Sequence, residues 1–168
     1  DVPFLSSLGI STPIASSSLR IYGNGGKMVP ETNATPRPDD LQENAIQVVD
    51  GGDGLINNND YILFYHPGAD EWLKDSINQS FSHKKNRYTS LSYYFITIGG
   101  NGKRIQSAPL ISNPAQTVTS FNERLFCELD SINLLAGGKE WYGEEFANAP
   151  GKTLTRSFPV PIPNYLPG

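Results

Sequence analysis

The segment from Asp53 to Asp60 has residue types and a spacing that are typical of calcium-binding loops. An acid, a glycine directly after it, an apolar residue two positions later and an acid at the end match the second half of an EF-hand-type loop. A glycine turn can point several oxygen atoms at one centre, which suits a hard cation that takes about six to eight oxygen ligands. The candidate calcium ligands are therefore the carboxylates of Asp50, Asp53 and Asp60.

The first half of this loop departs from the calcium pattern. Val49 and Gly51 occupy the positions of the first two carboxylate ligands, and strand-like rather than helical sequences flank the loop. An Asp/Asn/Gly turn between two strands, held by hydrogen bonds from side chains to the backbone, accounts for the same residues. The sequence leaves a calcium site and a metal-free turn as alternatives.

Residue types that could catalyse a reaction are few and poorly placed. Cys127 could act as a nucleophile with His66 or His83 as its base, but it lies in an apolar run, where a free cysteine is usually a small buried hydrophobe. Glu144 and Glu145 are adjacent, so in a strand they would point to opposite sides and could not flank one glycosidic bond. We therefore assign no catalytic residue and expect that this chain by itself is not an enzyme.

Aromatic residues offer a different chemistry, the stacking of sugar rings. In a β-rich chain most large aromatic side chains pack in or near the core, whereas an exposed group of them marks a binding surface. The candidates for such a surface are Trp72, Tyr88, Tyr93, Tyr94, Trp141 and Tyr142.

The composition of the 168-residue chain indicates many short strands joined by turns. It contains 16 Gly and 13 Pro with 11% aromatic residues, and its 18% charged residues lie below the roughly 25% of an average domain.

The net charge of −4, with one basic cluster at 83–87, argues against nucleic acid as a partner. No run approaches the ~18 apolar residues of a membrane span. The single Cys127 excludes an internal disulfide, and a start at Asp1 without Met suggests a processed or excised piece.

These features predict one mainly β domain over 1–168 with at most one or two short helices. Residues 60–65 and 91–98 are apolar on both faces and are expected to be central, buried strands. The Asn-Gly turn after 91–98 predicts a hairpin with 103–105, and 70–90 is the least regular stretch. Residues 119–135 fit a capped helix or an alternating strand equally well. The remaining predicted strands are 18–22 and 45–49, and 154–158 suits an edge strand or an extended exit segment.

An ordered set of short motifs resembles the N-terminal, non-catalytic region of gingipain-type cysteine peptidases. The likeness is greatest to the PorU-like sortases of the type IX secretion system, and it covers roughly residues 5–165. Each block is short, and the specificity lies in their order. The motifs are LRIYGNGG at 19–26, DDL at 39–41, ENAI at 43–46, DG at 53–54, DYILFY at 60–65, SYYF at 92–95, NLL at 133–135 and WYGEEF at 141–146.

The resemblance implies an accessory domain of a larger chain. In such proteins a peptidase domain with a His/Cys dyad lies further along, so it would begin after Gly168, and neither Cys127 nor the histidines match the dyad. The resemblance to the PorU-like branch implies that the parent enzyme removes C-terminal sorting domains from secreted cargo. It also implies that this enzyme helps to attach the cargo to lipopolysaccharide at the cell surface. The implied partners are the downstream peptidase domain, secreted cargo and type IX secretion components, with glycan or lipopolysaccharide as a further partner. The implied location is the bacterial cell envelope, at the outer membrane surface or in the periplasm, or outside the cell after secretion.

The resemblance also favours a two-sheet, jelly-roll-like β-sandwich for the domain and a strand over 119–130. A second function stays open on the residues themselves. The aromatic residues and the half-matched calcium loop would equally suit a carbohydrate-binding β-sandwich module with a structural calcium at 50–60.

Overall fold

Residues 1–166 are described by a computed structural model, and most of their regular structure is β-strand. An α-helix, α1 (Val2–Ser7), begins the chain, and a 3-10 turn (Ser16–Ser18) lies between the first two strands. The mainly β prediction is confirmed. The described strands are β1 (Ile14–Ala15), β2 (Leu19–Tyr22), β3 (Glu43–Asn44), β4 (Ile46–Val49), β5 (Leu55–Ile56), β6 (Tyr61–Phe64), β7 (Glu71–Asp75), β8 (Ser80–Lys84) and β9 (Phe95–Ile98).

Helix α1 is short and capped. The Asp1 side chain accepts a hydrogen bond from the backbone N–H of Phe4 (3.0 Å), and Pro3 lies in the first turn, where its missing N–H costs nothing. The helix buries only Leu5. Across residues 1–166 the helices are all too short or too polar to cross a membrane, in agreement with the sequence.

The strands pair antiparallel in four small sheets, ordered β3–β2–β9, β4–β6, β1–β5 and β7–β8. The two larger sheets that the sequence predicted, with 60–65 and 91–98 at their centres, are therefore not what is observed. Strand β2 is the central one, with Ile21 opposite Asn44 on one side and Ile96 on the other. Strands β3 and β4 are separated only by Ala45, where the chain passes from one sheet to the next.

One hydrophobic core joins three of these sheets, β3–β2–β9, β4–β6 and β1–β5. Its five buried side chains come from α1, the three-stranded sheet, β4 and β5, and the side chains packed against them include Ile62 and Phe64 of β6 and Ile96 of β9. The inner faces of β3–β2–β9 and β4–β6 therefore contribute to the same core. The buried residues are Leu5, Leu19, Ile21, Ile46 and Ile56.

Strand β6 is not buried on both faces, contrary to the prediction. Tyr61 and Leu63 are 43% and 50% exposed, and Tyr65, just beyond the strand, is 79% exposed. The alternate residues Ile62 and Phe64 pack on the core. The reason is topological: β6 has β4 as its one strand neighbour, and in the described chain no layer covers its outer face.

The predicted hairpin between 91–98 and 103–105 is also wrong. Strand β9 pairs with β2, and the following residues continue to β4, where the N–H of Ile46 donates to Lys103 O (3.1 Å) and the N–H of Ile105 donates to Ile46 O (3.0 Å). The Arg104 guanidinium fixes this path by donating to the carbonyls of Ser16 (2.7 Å), Ser17 (2.9 Å), Leu19 (3.3 Å) and Lys103 (3.0 Å).

Residues 70–90, predicted to be the least regular, form the β7–β8 hairpin. Its register places Trp72 opposite His83. The Asp75 carboxylate closes the turn by accepting from the backbone N–H groups of Ile77 (2.9 Å) and Asn78 (3.1 Å), and Gln79 takes a φ of 52°. These bonds between side chain and backbone close the hairpin without a glycine in the turn.

By its internal contacts the chain divides into two units, Asp1–Ser112 and the residues from Asn113 onward. The second unit contains an isolated antiparallel bridge between Ile132 and Tyr142, and none of its described side chains is buried. Residues 119–135 are neither helix nor strand apart from that bridge, and 154–158 form no strand. In this part of the chain the alternation and the capping pattern have no neighbouring element to pack against.

Candidate functional site

The Gly23–Gly26 turn is the floor of a surface site in the first unit. A Cβ atom on Gly23 would lie 2.5 Å from Cδ1 of Tyr94, and one on Gly26 would overlap the hydroxyl of Ser92. The sequence Gly-Asn-Gly-Gly is itself typical of a turn. Its glycines also let the backbone approach Tyr94 and Ser92 more closely than any side chain would allow.

Amide side chains connect this turn to the segment before β3. Asn24 donates from Nδ2 to Asp40 O (3.0 Å) and accepts from the N–H of Gln42 (2.8 Å), while Asn44 donates to Gly23 O (2.8 Å). These contacts fix the rim of a depression of about 320 Å³. We call it the glycine depression, and it is lined by Gly23, Asn24, Gly25, Pro38, Gln42, Asn44, Tyr65, Pro67 and Tyr94.

A second depression of about 340 Å³ adjoins it and shares Pro67. Trp72 and His83 face each other across the β7–β8 hairpin with ring centroids 4.9 Å apart at 73°, and Trp72 is 47% exposed. We call this the tryptophan depression, and its lining is Pro67, Gly68, Ala69, Asp70, Trp72, His83 and Ser90.

Tyr94 stands on the wall of the glycine depression. Its hydroxyl is hydrogen-bonded to Nδ1 of His66 (2.9 Å), and its ring meets that of Phe64 edge-on at 4.9 Å. Burial raises the pKa of the Tyr94 hydroxyl. The ring is thus held by the core on one side and by a polar contact on the other.

The aromatic surface differs in part from the one considered from the sequence. Trp72 and Tyr94 line the depressions, Tyr88 and Tyr93 are 72% and 69% exposed, and Trp141 and Tyr142 belong to the second unit. Tyr65, with 79% of its surface exposed, was missed because 60–65 was interpreted as core. Aromatic rings, prolines and amides can bind a ligand by stacking and hydrogen bonding, which is the chemistry of recognition.

The lining includes few of the groups that bond-breaking chemistry uses. Asp70 and His83, with 4.0 Å between the carboxylate and Nε2, are its acid and its imidazole. Cys127 is exposed rather than buried as the sequence suggested, and it lies in the second unit.

The three predicted calcium ligands each accept hydrogen bonds within their own loop. Asp53 accepts from the N–H of Leu55 (2.9 Å) and from Nδ2 of Asn57 (3.1 Å), and Asp60 accepts from the N–H of Asn57 (2.8 Å). A hydrogen bond from the Ser16 side chain, then one from the Gly52 N–H, lowers the pKa of Asp50. These are the bonds between side chain and backbone that the metal-free turn requires.

Within residues 1–166, no three His, Cys, Asp or Glu side chains form a group that could hold a metal ion. Calcium at Asp50, Asp53 and Asp60 stays a prediction with a direct test, thermal melting in excess calcium and in chelator. A site saturated at about a hundred times its dissociation constant would add ~2.7 kcal/mol to the free energy of unfolding. Because the carboxylates already have partners, we expect the two melting temperatures to agree. A higher one in calcium, lost in Asp53→Asn, would establish the site.

Comparisons with protein-family models, with curated proteins and with solved structures find no match. The resemblance to gingipain-type peptidases therefore rests on the sequence motifs alone.

A charged pair supports the strand that carries Asn44. Glu43, whose side chain is 11% exposed, accepts from Arg20 Nη2 (2.7 Å) and from the backbone N–H of Lys103 (2.7 Å). The Arg20 hydrogen bond first, and the Lys103 N–H second, lower the pKa of Glu43 from 4.5 to about 2. The pair joins β2, β3 and the segment after β9 next to the glycine depression.

This lowered pKa predicts a pH-dependent contribution to stability. The ionised form is favoured in the folded state, so the stabilisation is complete above pH 4.5 and is lost as the pH falls toward 2. Urea unfolding of Glu43→Gln should show a deficit against the wild type at pH 7 that shrinks between those values. Glu145→Gln is the control, since Glu145 pairs with Lys152 at the surface, where an ion pair contributes little. A deficit that stays constant with pH would contradict the assignment.

Proposed function

We propose that this chain is the N-terminal, non-catalytic domain of a gingipain-type cysteine peptidase of the PorU-like branch, which serves type IX secretion in the bacterial envelope. The support is the ordered set of motifs and their place in the fold. The motifs at 19–26 and 43–46 supply Leu19, Ile21 and Ile46 to the core, and the motif at 60–65 supplies β6. Six of the eight motifs thus lie in the first unit, and those at 133–135 and 141–146 lie in the second.

The role that the surface supports best is recognition of a polypeptide, either secreted cargo or a secretion partner. The observation that carries this role is the pair of adjoining depressions, whose aromatic, proline and amide lining includes the highly exposed Tyr65. Loops held by a rigid scaffold are where binding residues concentrate. Peptide cleavage would then belong to the downstream peptidase domain.

Fluorescence anisotropy with a labelled C-terminal sorting domain of cargo tests this role. We expect saturable binding that Tyr65→Ala weakens about tenfold, as for an aromatic residue at the centre of an interface. Tyr61→Ala is the matched control, because Tyr61 is an exposed tyrosine in β6 that lies four residues before Tyr65, about 13 Å away along an extended chain. Equal weakening by both variants, or no binding to cargo or secretion components, would contradict the role.

The non-catalytic part of the proposal has a separate test. The purified chain should leave a mixed peptide library intact over many hours. Cleavage that disappears in Cys127→Ala would establish a peptidase in this chain and remove the accessory-domain proposal.

A second function, carbohydrate binding, is favoured by one observation: the glycine depression combines the exposed Tyr65 ring with the side chains of Asn24, Gln42 and Asn44. Sugar rings stack on aromatic faces and hydrogen-bond to amides. Isothermal titration with glycans and with lipopolysaccharide tests it. Heat that saturates with a glycan and is lost in Tyr65→Ala would favour this function over polypeptide recognition, and no heat with any sugar would exclude it.

A further inference from the structure

Strand β6 has a backbone edge without a strand partner. In residues 1–166 it pairs with β4, and no backbone hydrogen bond outside that pairing involves Ile62 or Phe64. Unpaired edges of this kind are templates for pairing with another chain, and natural proteins block them with charged residues, Pro or bulges. Residues 61–65 contain neither a charge nor a Pro.

The direction of the free backbone groups follows from the neighbouring strand. Ile46 uses its N–H and C=O for Lys103 and Ile105, so they point away from β6. Residues opposite each other in an antiparallel pair alternate between bonded and non-bonded. Phe64 lies opposite Ile46, and Ile62 lies two positions away, so the N–H and C=O groups of Phe64 and Ile62 both point to the free edge.

The outer face beside this edge is apolar. Tyr61, Leu63 and Tyr65 share it, with exposed fractions of 43%, 50% and 79%. A strand added at the edge would bring its own side chains against these three, in addition to making backbone hydrogen bonds.

The edge is complementary to itself. In a two-fold antiparallel register centred on Leu63, Ile62 lies opposite Phe64 of the other strand, so both pairs of free backbone groups meet. Tyr61 then faces Tyr65, an aromatic cross-strand pair of the kind that stabilises sheets.

The polar residues at the ends of the strand fit the same register. Asp60 precedes β6 and His66 follows it, and the two-fold arrangement sets each Asp60 beside the His66 of the other copy. A carboxylate and an imidazole N–H attract each other, whereas a parallel arrangement would place Asp60 beside Asp60.

We propose that β6 pairs antiparallel with β6 of a second copy of this chain, in a two-fold register centred on Leu63. The pairing joins two β4–β6 sheets into one four-stranded sheet. A contact of five residues per copy buries less than the ~1,200 Å² of a standard interface, so the dimer is weak and depends on concentration. The inference is argued from the edge of β6 and not from the proposed function, although the dimer would also contact Tyr65, which lines the glycine depression.

Sedimentation equilibrium of the full chain over about a hundredfold range of concentration tests the pairing. The wild type is expected to shift from monomer to dimer. Leu63→Lys places two like charges opposite each other and should weaken the dimer about tenfold. Leu73→Lys is the matched control and should dimerise as the wild type does, since Leu73 is 47% exposed on a strand of a different sheet.

The register has its own test, because in the proposed pairing residue 63 of one copy lies opposite residue 63 of the other. Leu63→Glu alone should weaken the dimer by a similar factor, and an equimolar mixture of Leu63→Lys and Leu63→Glu should recover the dimer. A wild type that stays monomeric would overturn the proposal and leave the edge to another partner. Equal weakening by Leu63→Lys and Leu73→Lys, or a mixture that stays monomeric, would overturn it as well. Circular dichroism of each variant shows that it has folded.

Discussion

Gly102→Ala is expected to lower the free energy of unfolding by about 3 kcal/mol. A Cβ at this position would overlap the carbonyl oxygen of Leu19 and lie 2.5 Å from Nη1 of Arg104. Neither atom can retreat freely. Leu19 is in the central strand, and the guanidinium is held by carbonyls of the 3-10 turn. For a chain of this size the loss corresponds to roughly 6–12 °C in melting temperature.

The control for this prediction is Gly137→Ala. No atom lies within 4 Å of a Cβ at Gly137, so the substitution should change the free energy of unfolding by less than about 0.5 kcal/mol. Differential scanning calorimetry of both variants provides the comparison. Similar melting temperatures for the two would mean that the Arg104 side chain can move aside without cost.

Ile46→Ala is expected to destabilise the first unit by about 3–4 kcal/mol. Ile46 is fully buried at the point where β3–β2–β9 and β4–β6 meet, in a core with few other buried side chains. The truncation leaves a cavity that both sheets line. Urea unfolding should show Ile46→Val losing only about 1 kcal/mol, because one methyl group is removed.

Ile77→Ala is the control for Ile46→Ala, because it makes the same substitution at an exposed position. Ile77 lies at the tip of the β7–β8 hairpin with 92% of its surface exposed, so this variant should unfold like the wild type. If Ile46→Ala cost no more than Ile77→Ala, the core described for the first unit would be wrong.

The sequence predicted the strands whose signals are local. Alternation and a following turn located β2 and β4 to within a residue or so of their observed bounds, Leu19–Tyr22 and Ile46–Val49. Apolar residues on both faces located β6 but could not reveal whether a second layer covers it. The hairpin prediction failed because it used local sequence alone. The carbonyls of Leu19 and Ser16, which accept hydrogen bonds from Arg104, lie 85 and 88 positions earlier in the chain.

The candidate site was predictable only in part. Trp72 and Tyr94 stood out as aromatic residues, but the floor of the depression depends on Gly23 packing against Tyr94, a contact across some 70 positions. The hydrogen bonds from Asn24 to the segment before β3 have no sequence signature of their own. Asp50, Asp53 and Asp60 fit two structures equally well from sequence, because the oxygens that could bind calcium also accept N–H groups in a turn.

The step between sheets at Ala45 has a consequence for affinity. Asn44 lines the glycine depression, and Ile46, two positions later, lies at the centre of the core. The wall of the depression is therefore held in place by the same burial that stabilises the fold. A ligand that docks there meets a preorganised surface, so little of its binding free energy is spent on ordering the protein.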